Sequence, residues 1–332
     1  MSETPQFSEA KRVLLEKYLR GDPPQAAKAA SALPQGAIAE ITGSRECAVA
    51  IQTGGSKRPF FYLHGEWRGS AFYCYPLAQA LGTDQPFYIL APYTFDDLHV
   101  PPPLETIAKV HLEALRRIQP EGPYLLGGWC NGALVAYEMA RQLNAQGQVV
   151  DLLVLMDSMV PGRHRWIRSV ISRLCGLLRL GHEKQLDWFL IVHNVYRYLR
   201  FPHYRQRKDS EPMGTTQQAE RGQRRRKIGF GLARFDGLFM TAKALRKDYP
   251  KAFEWVAAGC APDLYPGKIT FFWTSEEPGY SVGWHKVMKA KEGEVEIHNI
   301  PGNDLTSRIE YLPVLAEHLR ECLSKVQTTA MS

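Results

Sequence analysis

The stretch that decides the fold is residues 123–143, "PYLLGGWCNGALVAYEMARQL". It opens as a short apolar run that ends in glycines. It closes with Val135, Met139 and Leu143 at i, i+4 and i+8, one stripe of a helix. Between the two lies Gly128-Trp129-Cys130-Asn131-Gly132. A strand that enters a helix through Gly-x-nucleophile-x-Gly is a nucleophile elbow, the signature of an α/β hydrolase. So tight a turn has no room for side chains at Gly128 and Gly132. It projects Cys130 at the helix N-terminus, where the positive end of the dipole favours a thiolate. Cys130 is therefore the candidate nucleophile, a thiol where a hydroxyl is usual. The N–H of Asn131 is one expected oxyanion donor; the other is expected in the turn after "FYLHG", at Gly65 or Glu66.

Outward from the elbow, strands and helices alternate. "RPFFYLHG" and "QPFYILAPY" read as strands, with a helix in "SAFYCYPLAQALG" between them. "LETIAKVHLEALRRIQ" is a helix with Ile107, His111, Leu112, Leu115 and Ile118 along one side. "VVDLLVLMDS" is nearly all apolar, as strands covered on both faces are. The alternation stops for about a hundred residues of helical, aromatic and basic sequence. It resumes with "YPGKITFFWTSEEP", "EVEIHNIPGND" and the helix "EYLPVLAEHLRECLSK". The expected architecture is a mostly parallel sheet flanked by helices, with a large helical lid. The expected boundaries are an N-terminal helix and linker over 1–37, core over 38–160, lid over 161–263 and core again over 264–332.

The 332 residues suit one large domain, and 45% hydrophobic with 23% charged residues is ordinary for a globular chain. Neither a signal peptide nor a membrane span is read from the sequence. The six cysteines are scattered without a Cys-x-x-Cys pair, so reduced thiols in the cytoplasm and no metal are expected. Phosphate-loop and dinucleotide glycine motifs are absent, which removes the usual nucleotide-binding classes.

An α/β hydrolase presents nucleophile, acid and His in that order. Asp157, at the end of the strand that follows the elbow helix, is the candidate acid. At this point the chain resembles the thioesterase domains of nonribosomal-peptide and polyketide assembly lines. The resemblance rests on "PFFYLHGEWRGSAFYCYPLAQALGTDQPFYIL", "TIAKVHLEALRRIQPEGPYLLGGWCNGALVAYEMARQL" and "VVDLLVLMDS", and on "YPGKITFFWTSEEP" and the end of the chain. It covers about residues 46–325, apart from much of the lid. It implies an enzyme that takes an acyl, aminoacyl or peptidyl chain from a carrier protein's phosphopantetheine onto Cys130, then transfers or releases it. It implies no cofactor of the protein's own and an acyl or peptidyl carrier protein as partner. A Cys at the elbow is similar to the stand-alone members that shuttle acyl groups between carriers.

The departure is at the base. The family pattern Pro-Gly-x-His reads Pro301-Gly302-Asn303-Asp304 here. Three explanations compete: Asp304 replaces a parent His and traps the acyl-enzyme; another His (His64, His285 or His298) serves; or the protein is naturally degenerate. Two carboxylates beside a thiol raise its pKa and slow loading. Two other functions stand beside the enzyme, a non-catalytic carrier-docking module and a hydrolytic esterase.

Residues 162–250 hold 20 Lys/Arg against 7 Asp/Glu, although the whole chain is only +7. An acidic carrier protein fits such a region, with Arg165, Arg168, Arg224, Arg225 and Arg226 as candidate contacts. Nucleic acid is not expected, since "RGQRRRK" is a charge run without a binding module around it. In the lid, Trp166, Ile167, Val170, Ile171, Leu174, Leu177 and Leu178 are expected to form one apolar stripe.

Overall fold

The computed structural model describes residues 48–65, 73–96, 98–200, 240–260, 264–275, 283–284 and 295–328. The expected N-terminal helix, Glu66, Arg224, Arg225, Arg226 and His285 lie outside the described residues.

Among the described residues, seven strands form one sheet: β1 (Ala48–Gln52), β2 (Phe60–Leu63), β3 (Phe87–Leu90), β4 (Tyr124–Trp129), β5 (Val150–Met156), β6 (Ile269–Thr274) and β7 (Val295–Ile300). Their order is β1-β3-β2-β4-β5-β6-β7. β2 to β7 run parallel, and only the edge strand β1 is antiparallel, against β3. β1 is the strand that the sequence did not reveal: AVAIQ is short and half-buried, with weak alternation. The helices around the sheet are α1 (Cys74–Leu81), α2 (Leu104–Ile118), α3 (Asn131–Ala145) and α8 (Leu312–Thr328).

The near-continuous apolar strands follow from cover on both faces. Phe61, Leu63 and Leu126 point into a core shared with α2 and α3. Their neighbours Phe60, Tyr62 and Leu125 point the other way, into a core shared with α1 and α8. β2 is followed outward on one side and β4 continues on the other, so the chain reverses its direction of travel across the sheet at this pair. Ligand crevices in open α/β sheets form at the carboxyl ends of strands beside such a reversal, and the elbow sits there.

Among the described residues, the lid holds α4 (Arg165–Leu177), α5 (His182–Arg200), α6 (Ala242–Arg246) and α7 (Tyr249–Gly259). It has a core of its own in Ile167, Ile171, Cys175, Leu186, Phe189, Leu190 and Trp255. α7 joins lid to sheet, because Phe253 and Val256 on its other side enter the core under α2 and α3. The expected single stripe on α4 divides. Ile167 and Ile171 are buried, whereas Trp166 (59% exposed), Leu174 (55%) and Leu177 (82%) face outward. Seven apolar residues on a helix of under four turns span too wide an arc for one neighbour to cover. No described helix is long and apolar enough to cross a membrane.

Candidate active site

The elbow is built as its spacing requires. Cys130 has φ 49° and ψ −111°, a conformation that costs a non-Gly residue energy and persists where the surroundings enforce it. The glycines show how they do. A Cβ on Gly132 would lie 2.3 Å from the Leu63 carbonyl oxygen; one on Gly128 would lie 2.7 Å from the Gly132 carbonyl. One on Gly65, itself at φ 71°, would lie 2.4 Å from the Trp129 oxygen. The turn after β2 and the elbow are therefore in backbone contact, which brings Gly65, Asn131 and Cys130 to one place. The Asn131 N–H bonds toward the Cys130 sulfur and lowers its pKa. A cleft lined by Leu63, Gly65, Leu90, Tyr93, Asn131 and Phe253 opens beside them. His111 also lines it, fully buried, with neither ring nitrogen hydrogen-bonded among the described residues. Burial pushes that imidazole down to about 4, so it stays neutral.

Asp157 is buried at the same sheet edge, at φ 40°. Its Oδ1 accepts from the Thr274 N–H (2.9 Å) and the Thr274 hydroxyl (3.1 Å). Its own N–H donates to Phe272 (2.9 Å).

Asp304 follows β7 and faces the elbow. The Trp129 indole N–H donates to its Oδ1 at 2.7 Å. Arg308, one turn on, places its guanidinium 3.1 Å from the same oxygen and donates from Nε to the Asp304 carbonyl at 2.7 Å. Only 7% of the Arg308 side chain is exposed, against 45% for Asp304. The guanidinium lies over Trp129 (5.2 Å) and Tyr73 (5.1 Å). The sequence analysis did not single out Arg308, whose i+4 spacing from Asp304 is the one trace of the pair in the sequence.

These neighbours set the thiol. Burial, then the Asp304 carboxylate, push Cys130 up to about 12; Arg308 and the Asn131 N–H pull it down, and Asp157 adds to the rise. Cys130 keeps some surface, yet desolvation outweighs the helix dipole that was expected to favour a thiolate. The alternative bases fare poorly. His64 is buried and pushed down to about 4, by burial first and Arg308 second. His298 lies on β7 among His318, Glu296 and Cys322, with both ring nitrogens engaged.

Arg165 is exposed at the start of α4. Arg168 is turned inward instead: it donates to the Trp255 carbonyl at 2.6 Å and stacks 3.8 Å over that indole. It is thus part of the packing between α4 and α7 and leaves the outward-facing basic set. All five described cysteines are free thiols.

The fold and elbow define an α/β hydrolase. Within that class, the model of the family described as "Thioesterase domain" matches residues 60–169, the segment from β2 to α4. The resemblance drawn from the sequence therefore holds over residues 60–169, about a third of the chain. Among curated proteins, a non-reducing polyketide synthase of Pseudevernia furfuracea is 39% identical over 108 residues, 32% of this chain and 5% of that protein. Chondramide synthase of Chondromyces crocatus is 36% identical over 126 residues, 37% of this chain and 3% of its own length. A dimodular nonribosomal peptide synthase of Bacillus subtilis is 37% identical over 110 residues, 32% of this chain and 4% of its own. The matches thus span a twentieth or less of these relatives. Among solved structures, the NocB thioesterase domain in covalent complex with a fluorophosphonate nocardicin G analogue superposes with TM-score 0.51. It is 19% identical and covers 83% of this chain and 99% of that domain, a likeness of fold.

Proposed function

We propose that the protein accepts an acyl, aminoacyl or peptidyl chain from the phosphopantetheine thiol of a carrier protein onto Cys130. It then passes the chain to another thiol in preference to water, within polyketide or nonribosomal-peptide biosynthesis. The observation that carries this reading is Asp304, held by Trp129 and Arg308 where a thioesterase-type core needs a general base.

The chemistry follows from proton balance. In thiol–thioester exchange the Cys130 sulfur attacks the carbonyl, and the N–H groups of Asn131 and Gly65 steady the oxyanion. The C–S bond to phosphopantetheine then breaks. The proton lost by Cys130 equals the one gained by the departing thiol, so no net base is consumed. The two thioesters are close in energy, which makes the step reversible. Hydrolysis differs, because water must give up a proton as it attacks. A carboxylate already bound by an indole and a guanidinium is a weak acceptor for it. The cleft beside Asn131 and Gly65 suits an apolar portion of the chain.

The Asp304–Arg308 pair favours a natural arrangement over a replaced His. A buried guanidinium matched to a carboxylate is stable, whereas an imidazolium in the same place would meet a like charge. For the carrier, the outward face of α4 joins Trp166, Val170 and Leu174 to Arg165 and Arg173. Such an apolar centre with a basic rim suits an acidic helical partner carrying a phosphorylated arm.

Intact-protein mass spectrometry after mixing with an acylated carrier protein tests the reading. An acyl mass on Cys130 that persists in buffer and leaves on addition of pantetheine is the expected result. Loss at the same rate in buffer alone makes the protein a hydrolase. Absence of any acyl mass leaves a carrier-docking module.

A further inference from the structure

Two clusters of metal-ligating side chains lie away from the elbow, and they differ in kind. Glu296, His298 and Cys322 meet near the end of β7. There Glu296 is already neutralised by Lys268 (2.6 Å) and Lys325 (3.1 Å). His298 spends one nitrogen on His318 at 2.8 Å and the other on Glu296 at 3.0 Å. Two ammonium groups on the only carboxylate disfavour a cation there.

The second cluster joins His164, His193 and Glu254 in the lid. His164 precedes α4 in the left-handed region (φ 60°), His193 is on α5, and Glu254 is on α7. Their side chains are 9%, 3% and 6% exposed. His164 Nδ1 and His193 Nε2 face each other at 2.8 Å; Glu254 Oε2 lies 3.7 Å from the first and 3.9 Å from the second. Among the described residues that carboxylate oxygen is buried with no partner at ordinary hydrogen-bond distance, the two imidazoles standing just beyond it. The point equidistant from the three atoms lies about 2 Å from each, the zinc–nitrogen and zinc–oxygen bond length, and small shifts of the side chains would bring the donors to tetrahedral spacing around it.

We infer that His164, His193 and Glu254 form a zinc-class divalent-cation site that ties the three lid elements together. Two imidazoles and a carboxylate are a donor set of the right softness for zinc. Arg197 reaches the other carboxylate oxygen, Oε1, at 3.3 Å. It thereby orients Oε2 toward the imidazoles, as a partner outside the coordination sphere does. Three protein donors leave the fourth position of a zinc shell to an exogenous ligand such as water. α7 also enters the core under α2 and α3, so the ion would fix the lid's attachment to the sheet. Separations of 29 and 61 residues along the chain follow no zinc motif, which is why the sequence suggested no metal.

The test uses the full chain, stripped with a chelator and titrated with Co2+. The expected result is saturation at one equivalent with the visible absorption of tetrahedral cobalt. That signal should vanish in Glu254→Gln and His193→Ala and persist in His298→Ala. Zinc should raise the thermal midpoint of the wild type and leave that of Glu254→Gln unmoved. X-ray absorption on the zinc-loaded wild type keeps the test open should the variants fail to fold. Two imidazoles in a nitrogen/oxygen shell at about 2.0–2.1 Å support the site. A sulfur ligand would place the ion at Cys322 and overturn the inference, as would no saturable cobalt signal, or one that both lid variants retain.

Discussion

The elbow and the loop after β7 meet at one site, yet they are held in place by different means. At the elbow, backbone fixes the geometry: the virtual Cβ atoms of Gly65, Gly128 and Gly132 all fall within 2.7 Å of main-chain atoms. The position of Cys130 is thus a property of the fold. On the loop, Asp304 is fixed by an indole and a guanidinium, both side chains. A change of residue there alters the chemistry and leaves the sheet untouched. The elbow can therefore keep its geometry while the residue at position 304 changes.

The comparison breaks first, and most severely, at the elbow. Gly132→Ala places a methyl 2.3 Å from the Leu63 oxygen and 3.0 Å from the Gly65 nitrogen. Relief requires β2 or α3 to move, so a loss of about 3 kcal/mol is expected, the upper end of overpacking costs. Acylation of Cys130 should disappear with it. Urea unfolding and intact mass are the measurements; a variant that still loads at the wild-type rate would show that the backbone contact is not what places the thiol.

Cys130→Ser comes next. The hydroxyl fits the same turn, so the unfolding midpoint should hold. Loading should fall by about 10²–10⁴-fold, the contribution a general base makes where a neutral hydroxyl must attack. Equal loading by Ser and Cys would reveal a competent base in the site and end the proposal that Asp304 leaves it without one.

Restoring the imidazole sharpens the contrast. Asp304→His alone should add little hydrolysis, because the new ring sits against the Arg308 guanidinium, which disfavours the protonated state that a base must reach. Asp304→His with Arg308→Leu should release the acyl-enzyme to water about 10²-fold faster than the parent, the low end of general-base catalysis. If the single variant already turns over as fast as the double, Arg308 is no obstacle and Asp304 stands in an otherwise complete hydrolase.

How much of this was legible in the sequence follows the same division. The elbow, the alternation of strands and helices after β1 and the candidate acid could be read from it, because apolar runs, glycines and helix stripes report backbone demands directly. Asp157 was placed by its position after β5, and Thr274 holds it there. The base half could be read only as a missing His. That Arg308 pairs with Asp304 depends on a side chain folding back over Trp129 and Tyr73, which no period records. The lid was legible as helical and basic, but not in its detail. Arg168 was grouped with surface arginines and instead packs on Trp255. β1 escaped because five half-buried residues carry too little pattern, and its pairing with β3 is decided by the sheet rather than by its own sequence.

The smallest effect separates the two charges that act on the thiol. The Asp304 carboxylate raises the Cys130 pKa and the Arg308 guanidinium lowers it. Asp304→Asn should therefore shift the pH profile of Cys130 alkylation toward lower pH, and Arg308→Met toward higher pH. Below the pKa, a shift of one unit changes the thiolate fraction, and hence the alkylation rate, by about tenfold. The carboxylate acts more strongly in a static picture, but it is 45% exposed and the guanidinium only 7%. Solvent screens the exposed charge more, so the Arg308→Met shift should be the larger of the two. Should both variants shift the profile the same way, the pair acts by excluding water rather than by charge. Burial, the largest cause of the raised pKa, would then be the whole of it.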